Sequence, residues 1–221
     1  MKTVSRWLMI LLIPFYALSA CAAENFAEGR EYTKLASPQP TSSGDKIEVV
    51  ELFWYGCPHC YHLEPFLENW LKNKPDDVEF VRLPAILGAS WELLAKGYYT
   101  AELLGVLDKT HRALFDSIHE KNNKIKDESM LRAFFMQQGV SAADFDKTFN
   151  SFAVAVKVNN ARLMTRRYAI TGVPTLIVNG KYSTGPSMVT KGNAGVMAVV
   201  DYLVGLERAA SAEPTAANAA Q

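Results

Sequence analysis

The stretch ELFWYGCPHCYHLEPF, residues 51–66, holds two of the three cysteines of the chain and decides how the rest is read. Upstream of the thiols, Ile47 to Phe53 is a short, β-branched, apolar run of the kind that forms a buried strand. Downstream, Leu63, Phe66, Leu67, Trp70 and Leu71 fall at helical spacing, which predicts a helix over 61–71. Pro65 lies within it and is expected to kink it, because proline removes a backbone donor and crowds the preceding turn. A C-x-x-C pair therefore stands where a strand hands over to a helix.

That position has chemical consequences. The first N–H groups of a helix have no intrahelical partner, and the helix dipole is positive there. Both favour an anion, so Cys57 is expected to have a lowered pKa and to be the nucleophile. Cys60, one turn further in, can close a short disulfide with it and should be the more buried thiol. Pro58 suits a helix start, where a missing donor costs nothing. His59 can direct positive charge or a hydrogen bond at the Cys57 sulfur. A site that stabilises the reduced thiolate makes its disulfide an avid oxidant. Three other readings stand beside this one. A structural disulfide would constrain little chain entropy across so small a ring. A zinc site needs four ligands, and only His59 and His62 lie near. Buried inert thiols are the third.

Working outward, Lys74-Pro75-Asp76-Asp77 ends the helix and Val78 to Leu83 is a second apolar strand. No strand is expected from Trp91 to Tyr168. Apolar spacing there predicts helices around Leu93–Leu104, Leu114–Ile118, Met130–Phe135 and 151–168, with a short one opened by the capping pattern Ser141-Ala142-Ala143-Asp144. Strand signals return at Thr175 to Val178, followed by the hairpin turn Asn179-Gly180 and a return strand from Lys181. Ala194 to Arg208 is a last helix with an apolar stripe. The expected fold class is α/β: a βαβ unit and a ββα unit flank an all-helical insert. The expected divisions are 24–89, an inserted helical domain at 90–158, a C-terminal part at 159–208 and a flexible tail at 209–221. Residues 24–46 read as an extended lead-in, with a loop marked by Pro38, Pro40 and Gly44.

With 221 residues the chain can bury one core plus an insert, and 49% apolar with 21% charged residues is an ordinary globular balance. The 23 basic and 23 acidic residues cancel, which excludes the basic excess of a nucleic-acid binder. The N-terminus is different. Lys2 and Arg6 precede an apolar run from Trp7 to Leu18, then small residues, which is the pattern of a secretory signal over residues 1–22. The run contains Pro14 and is shorter than the roughly 20 residues of a spanning helix. Ala20-Cys21-Ala22 fits an A-x-A cleavage site, and Leu18-Ser19-Ala20-Cys21 fits a lipobox that would lipidate Cys21. Both routes stay open, and either accounts for the odd thiol.

Two further positions matter. Pro174, in Gly172-Val173-Pro174-Thr175 just before a strand, reads either as a cis proline that turns the chain or as an ordinary trans proline at a strand start. Glu51 alternates with Val49 and Phe53; if that face is buried, its carboxylate needs a partner or a raised pKa, and otherwise it is a solvent-facing edge charge. His62 reads as helix surface, and His111 and His119 as structural or surface. Trp54, Tyr55 and Trp91 read either as core or as an apolar surface near the thiols.

C-P-H-C after an apolar strand, with G-V-P-T-x-x-V-N-G-K-Y downstream, resembles the DsbA family of periplasmic thiol oxidases over about residues 30–208. The resemblance implies a thioredoxin fold with an inserted all-helical domain. It implies that Pro174 is cis and lies against a redox-active Cys57–Cys60 disulfide, and that the Val173 backbone pairs with an extended substrate. It also implies a Glu51 buried below the cysteines that eases proton movement. Some family members pair that glutamate with a lysine on the next strand. Here Val78 to Leu83 contains no lysine, and only Arg82 could replace it.

The expected activity is a dithiol oxidase that donates its disulfide to newly exported polypeptides in the periplasm, as a monomer without metal or organic cofactor, and is reoxidised by a DsbB-like quinone-linked membrane partner. A periplasmic reductase or isomerase, and a peptide-binding chaperone-like module with incidental thiols, are the alternatives.

Overall fold

The computed structural model describes residues 26–212. The expected signal segment, Cys21 with its lipobox, and residues 213–221 of the expected tail lie outside the described residues. Five strands, β1 (Thr33–Lys34), β2 (Ile47–Phe53), β3 (Val78–Pro84), β4 (Thr175–Val178) and β5 (Tyr182–Thr184), form one sheet in the order β1-β5-β4-β2-β3. The helices are α1 (Pro58–Asn73), α2 (Glu92–Leu103), α3 (Leu107–His119), α4 (Glu128–Gln137), α5 (Ala142–Phe149), α6 (Phe152–Arg167) and α7 (Gly192–Ala212). β2 and β3 run parallel, joined through α1, and the remaining pairings are antiparallel. Between β3 and β4 the chain forms helices and their connecting loops with no strand, as expected.

β2 is the centre of the sheet, and all seven of its residues are buried. That burial is why its composition is almost continuously apolar. Because strand side chains alternate, Val49 joins a core with Leu176 and Val178 under Leu63 and Leu67 of α1 and Val196 and Leu203 of α7. Val50, Leu52 and Ile177 join a second core that runs into the helical block, where Phe115, Leu131, Phe145 and Ala161 are buried. α2 packs against α3, α4, α5 and α6 and so anchors that block. Asp127, Ser141 and Ser151 cap α4, α5 and α6 by accepting from the backbone N–H groups of Met130, Asp144 and Val154. α6 continues unbroken through residue 158 and so links the helical block directly to β4.

The β4–β5 turn is the one the Asn179-Gly180 pair predicts. Both residues have positive φ, 49° and 63°. Gly180 is required twice over, since a Cβ there would lie 2.0 Å from the Gln39 carbonyl oxygen.

Four expectations are corrected. The lead-in contains β1, whose two residues pair with β5 and are found through that partner rather than through any local pattern. α1 begins at Pro58, directly after the thiol, and not at 61. As expected, the helix runs on through Pro65, which stands on its exposed face; the bond Pro65 cannot donate would have been to Tyr61. Phe66, expected in the apolar stripe, is exposed, and Glu64 takes the inward position instead. Finally, residues 209–212 of the expected tail are the last turn of α7.

Candidate active site

Cys57 is the N-cap residue of α1, with extended backbone (φ −90°, ψ 117°), and Pro58 is the first helical residue. Both cysteines are free thiols in this structure. Cys57 is 9% exposed and Cys60 fully buried, so only one sulfur is within reach of a partner from outside. The Cys57 thiol is lowered to about 6. The largest cause is the hydrogen bond from the Cys60 thiol. The backbone N–H groups of Cys60 and His59 at the open helix start add to it, and the charge of His59 contributes least, while burial opposes all of them. Cys60 is pushed far above the ordinary thiol range by burial first, then by its neighbour Cys57 and by the charge of Glu51. The helix-start field expected from the sequence is therefore present, but the paired thiol outweighs it, and His59 is a minor contributor.

The Val173–Pro174 bond is cis. The loop brings the Val173 carbonyl oxygen to 3.3 Å from the Cys57 sulfur, where it accepts from the thiol. Pro174 is buried behind it. A recess of about 370 Å³ lies beside this contact, lined by His59, Thr171, Gly172, Val173, Pro174, Thr175, Pro186 and Ser187.

Beneath the thiols lies a buried charged cluster. Glu51 is fully buried, and the parallel register of β2 and β3 sets Arg82 beside it. Arg82 Nε lies 3.3 Å from Glu51 Oε2, and Arg82 donates from Nη2 to Glu64 Oε2 at 3.1 Å. Neither Glu51 oxygen has an aligned hydrogen-bond donor. Burial and the like charge of Glu64 push Glu51 up to about 8 despite Arg82. Glu64 is held below the ordinary carboxylate value by His111 and Arg82. His111 Nε2 is 3.2 Å from Glu64 Oε1, and its Nδ1 is 2.8 Å from the Tyr55 hydroxyl.

Arg82 thus resolves the open question of a partner for Glu51. Glu64 and His111 were missed as members of the cluster. The available signal for Glu64 was a carboxylate four residues after Cys60 and three before Leu67, within the buried face of the helix. His62 is exposed, as read. His119 is half-buried, 2.8 Å from the Tyr55 carbonyl oxygen and stacked on Tyr61. Tyr55 is core, whereas Trp54 and Trp91 are partly exposed and stack on each other. No group of acidic, histidine and cysteine side chains among the described residues could hold a metal ion.

Residues 48–203 match the model of the family described as DSBA-like thioredoxin domain. The chain belongs to this family. Among DsbA-like relatives, the thiol:disulfide interchange protein DsbA of Pseudomonas syringae pv. tomato is 42% identical over 200 residues, spanning 89% of this chain and 91% of that one. The protein of the same name from Pseudomonas aeruginosa is 39% identical over 217 residues, spanning 96% and 99%. The crystal structure of Pseudomonas aeruginosa DsbA matches with a TM-score of 0.80 at 41% identity, covering 84% of this chain and 96% of that one. That of the Xylella fastidiosa oxidoreductase DsbA matches with a TM-score of 0.76 at 34% identity, covering 83% and 98%. The DsbA-like assignment makes the chain an α/β thioredoxin-fold thiol–disulfide oxidoreductase, and its C-x-x-C pair lies within the matched span.

Proposed function

We propose that the protein oxidises pairs of thiols in exported polypeptides by passing on a Cys57–Cys60 disulfide. The observation that carries this reading is the asymmetry of the two sulfurs: Cys57 ionises near 6, and Cys60 is pushed far up. In the disulfide state a client thiolate attacks Cys57 Sγ, the Cys57–Cys60 bond breaks, and its electron pair leaves on Cys60, which takes up a proton. A second client thiolate then attacks the client sulfur of the mixed disulfide, and Cys57 leaves as the thiolate its surroundings favour. Two electrons pass from client to protein, and the client keeps the disulfide.

Glu51 carries a proton at neutral pH, since it ionises near 8, and it lies close enough to Cys60 for the two groups to influence each other. In this reading it supplies the proton that Cys60 takes up. His59 and Pro58 shape the helix start. The Val173 backbone pairs with the client chain in strand fashion, its carbonyl, which accepts from the Cys57 thiol in the reduced form, being free of that bond in the disulfide state, and Pro174 closes the recess behind it. No metal or organic cofactor enters these steps. Return to the disulfide requires a two-electron acceptor, which we assign to a DsbB-like quinone-linked membrane oxidase. The signal pattern over residues 1–22 supports a periplasmic location, free or anchored through Cys21, and the mass of the mature N-terminus distinguishes the two. Among the described residues no helix is long and apolar enough to cross a membrane.

Equilibration of the purified protein with glutathione tests the direction of electron flow. The expected potential is well above that of thioredoxin, about −270 mV. A value at or below it would make the protein a reductase. Retention of disulfide-forming activity in a Cys57→Ala protein would instead favour a chaperone-like module.

A further inference from the structure

A second recess, of about 430 Å³, lies next to the reacting cysteine and is lined by residues on either side of it in the chain. It shares no lining residue with the recess at the Val173–Pro174 loop, yet Gly56 and Pro58, the two neighbours of Cys57, both line it. Its walls are apolar where Trp54, Leu94, Ile118 and Ile125 meet.

The Trp54 wall is built, not incidental. Its ring lies flat on Trp91, with centroids 4.4 Å apart and planes at 10°. It also crosses Gly56 so closely that a Cβ there would sit 2.4 Å from the ring. At the rim stands Lys124, between Lys121 and Lys126; all three are exposed, and none has an ion-pair partner among the described residues. The acidic neighbours are engaged elsewhere, Glu120 by the Tyr61 hydroxyl and Asp127 as the cap of α4.

A polypeptide joined to Cys57 through its own cysteine must leave the sulfur in two directions. One arm can pair with the Val173 edge. The other has to pass Gly56 and Pro58. We propose that the recess formed by Trp54, Ile118, Ile125 and Lys124 is a second client subsite. It takes a large apolar side chain from the other arm, with a carboxylate-bearing residue beside it meeting Lys124. The subsite rests on the oxidase reading above. Burying the side chain stabilises the mixed disulfide, and the lysine cluster speeds encounter with acidic clients.

The test uses the full chain in its disulfide state and synthetic two-cysteine peptides that differ only in the pair of residues flanking the reactive cysteine: Phe-Glu, Phe-Lys or Gly-Gly, placed on either side. Single-turnover rates are measured at low salt. Phe-Glu on one side is expected to react about tenfold faster than Gly-Gly, as partial burial of one aromatic ring allows, and several-fold faster than Phe-Lys. Lys124→Glu should invert the Phe-Glu to Phe-Lys ratio. Lys147→Glu, an exposed site on α5, should leave it unchanged. Equal rates for all peptides, or the same ratio with Lys124→Glu, would overturn the subsite alone. Failure to oxidise any peptide would overturn the oxidase reading and the subsite with it.

Discussion

At the scale of single residues, the chemistry depends on one sulfur ionising easily beside another that does not. The causes can be ranked, and the ranking can be tested. Thiolate ultraviolet absorbance of the reduced protein should titrate with a midpoint near 6 and should vanish in Cys57→Ser. Cys60→Ala should move the Cys57 midpoint upward more than His59→Ala does, because the neighbouring thiol is the largest cause and the histidine charge the smallest. A larger shift from His59→Ala would mean that side-chain charge, not the paired thiol, sets the nucleophile. Glu51 shows the reverse case. It is a carboxylate kept protonated by burial, because its ion pair to Arg82 lacks an aligned hydrogen bond and a second carboxylate lies close by.

At the scale of elements, four of them meet at the charged cluster: β2 contributes Glu51, α1 contributes Glu64, β3 contributes Arg82 and α3 contributes His111. The side chain of Arg82 is 18% exposed, so the guanidinium is the group through which two buried carboxylates tolerate each other. Arg82→Ala leaves them facing across the sheet–helix junction and is expected to cost about 3–5 kcal/mol at pH 8, with a smaller loss at pH 5, where Glu51 is neutral. Glu51→Gln should act in the opposite sense. The folded pKa of Glu51 is raised, so between about 4.5 and about 8 the folded state binds more protons than the unfolded, and the ionising carboxylate erodes stability as pH rises. The variant should therefore be more stable than the parent protein above pH 8 and indistinguishable from it below pH 4.5. Urea unfolding across that range measures both variants. A Glu51→Gln protein less stable than the parent at pH 8 would show that the Arg82 pair outweighs burial.

At the scale of the whole molecule, the pKa of one thiol becomes a difference in stability between two redox states. The folded pKa of Cys57 is depressed from an ordinary 9.0 to about 6, so its contribution to the reduced protein is full above 9 and is lost as pH falls through 6. The oxidised protein has no thiolate to titrate. The stability of the reduced form relative to the oxidised form should thus grow by up to about 1.4 kcal/mol per pH unit between pH 6 and 9. Urea unfolding of both states at several pH values measures it, and a difference that stays flat with pH contradicts the oxidant reading. Apart from β1, the order of strands and helices, the Ser141 cap of α5 and the position of the thiols at a strand-to-helix junction were legible in the chain, because each follows from residues within a few positions of one another: apolar period, a capping side chain, the Asn179-Gly180 turn. The partners in the site were not legible from the residue pattern; Pro174 beside the cysteines and Arg82 as a candidate for Glu51 came only through the family resemblance. Val173 meets Cys57 across 116 residues and His111 meets Glu64 across 47, and Arg82 reaches Glu51 only through the register of two parallel strands. Such contacts leave no periodic trace, since what brings them together is the packing of distant apolar faces. The amino-acid order alone thus determined where a reactive thiol would sit and what field the helix start would give it. Only the tertiary structure decided which carboxylate stays protonated beneath it and which carbonyl faces it, because burial and proximity exist only once the chain has closed on itself.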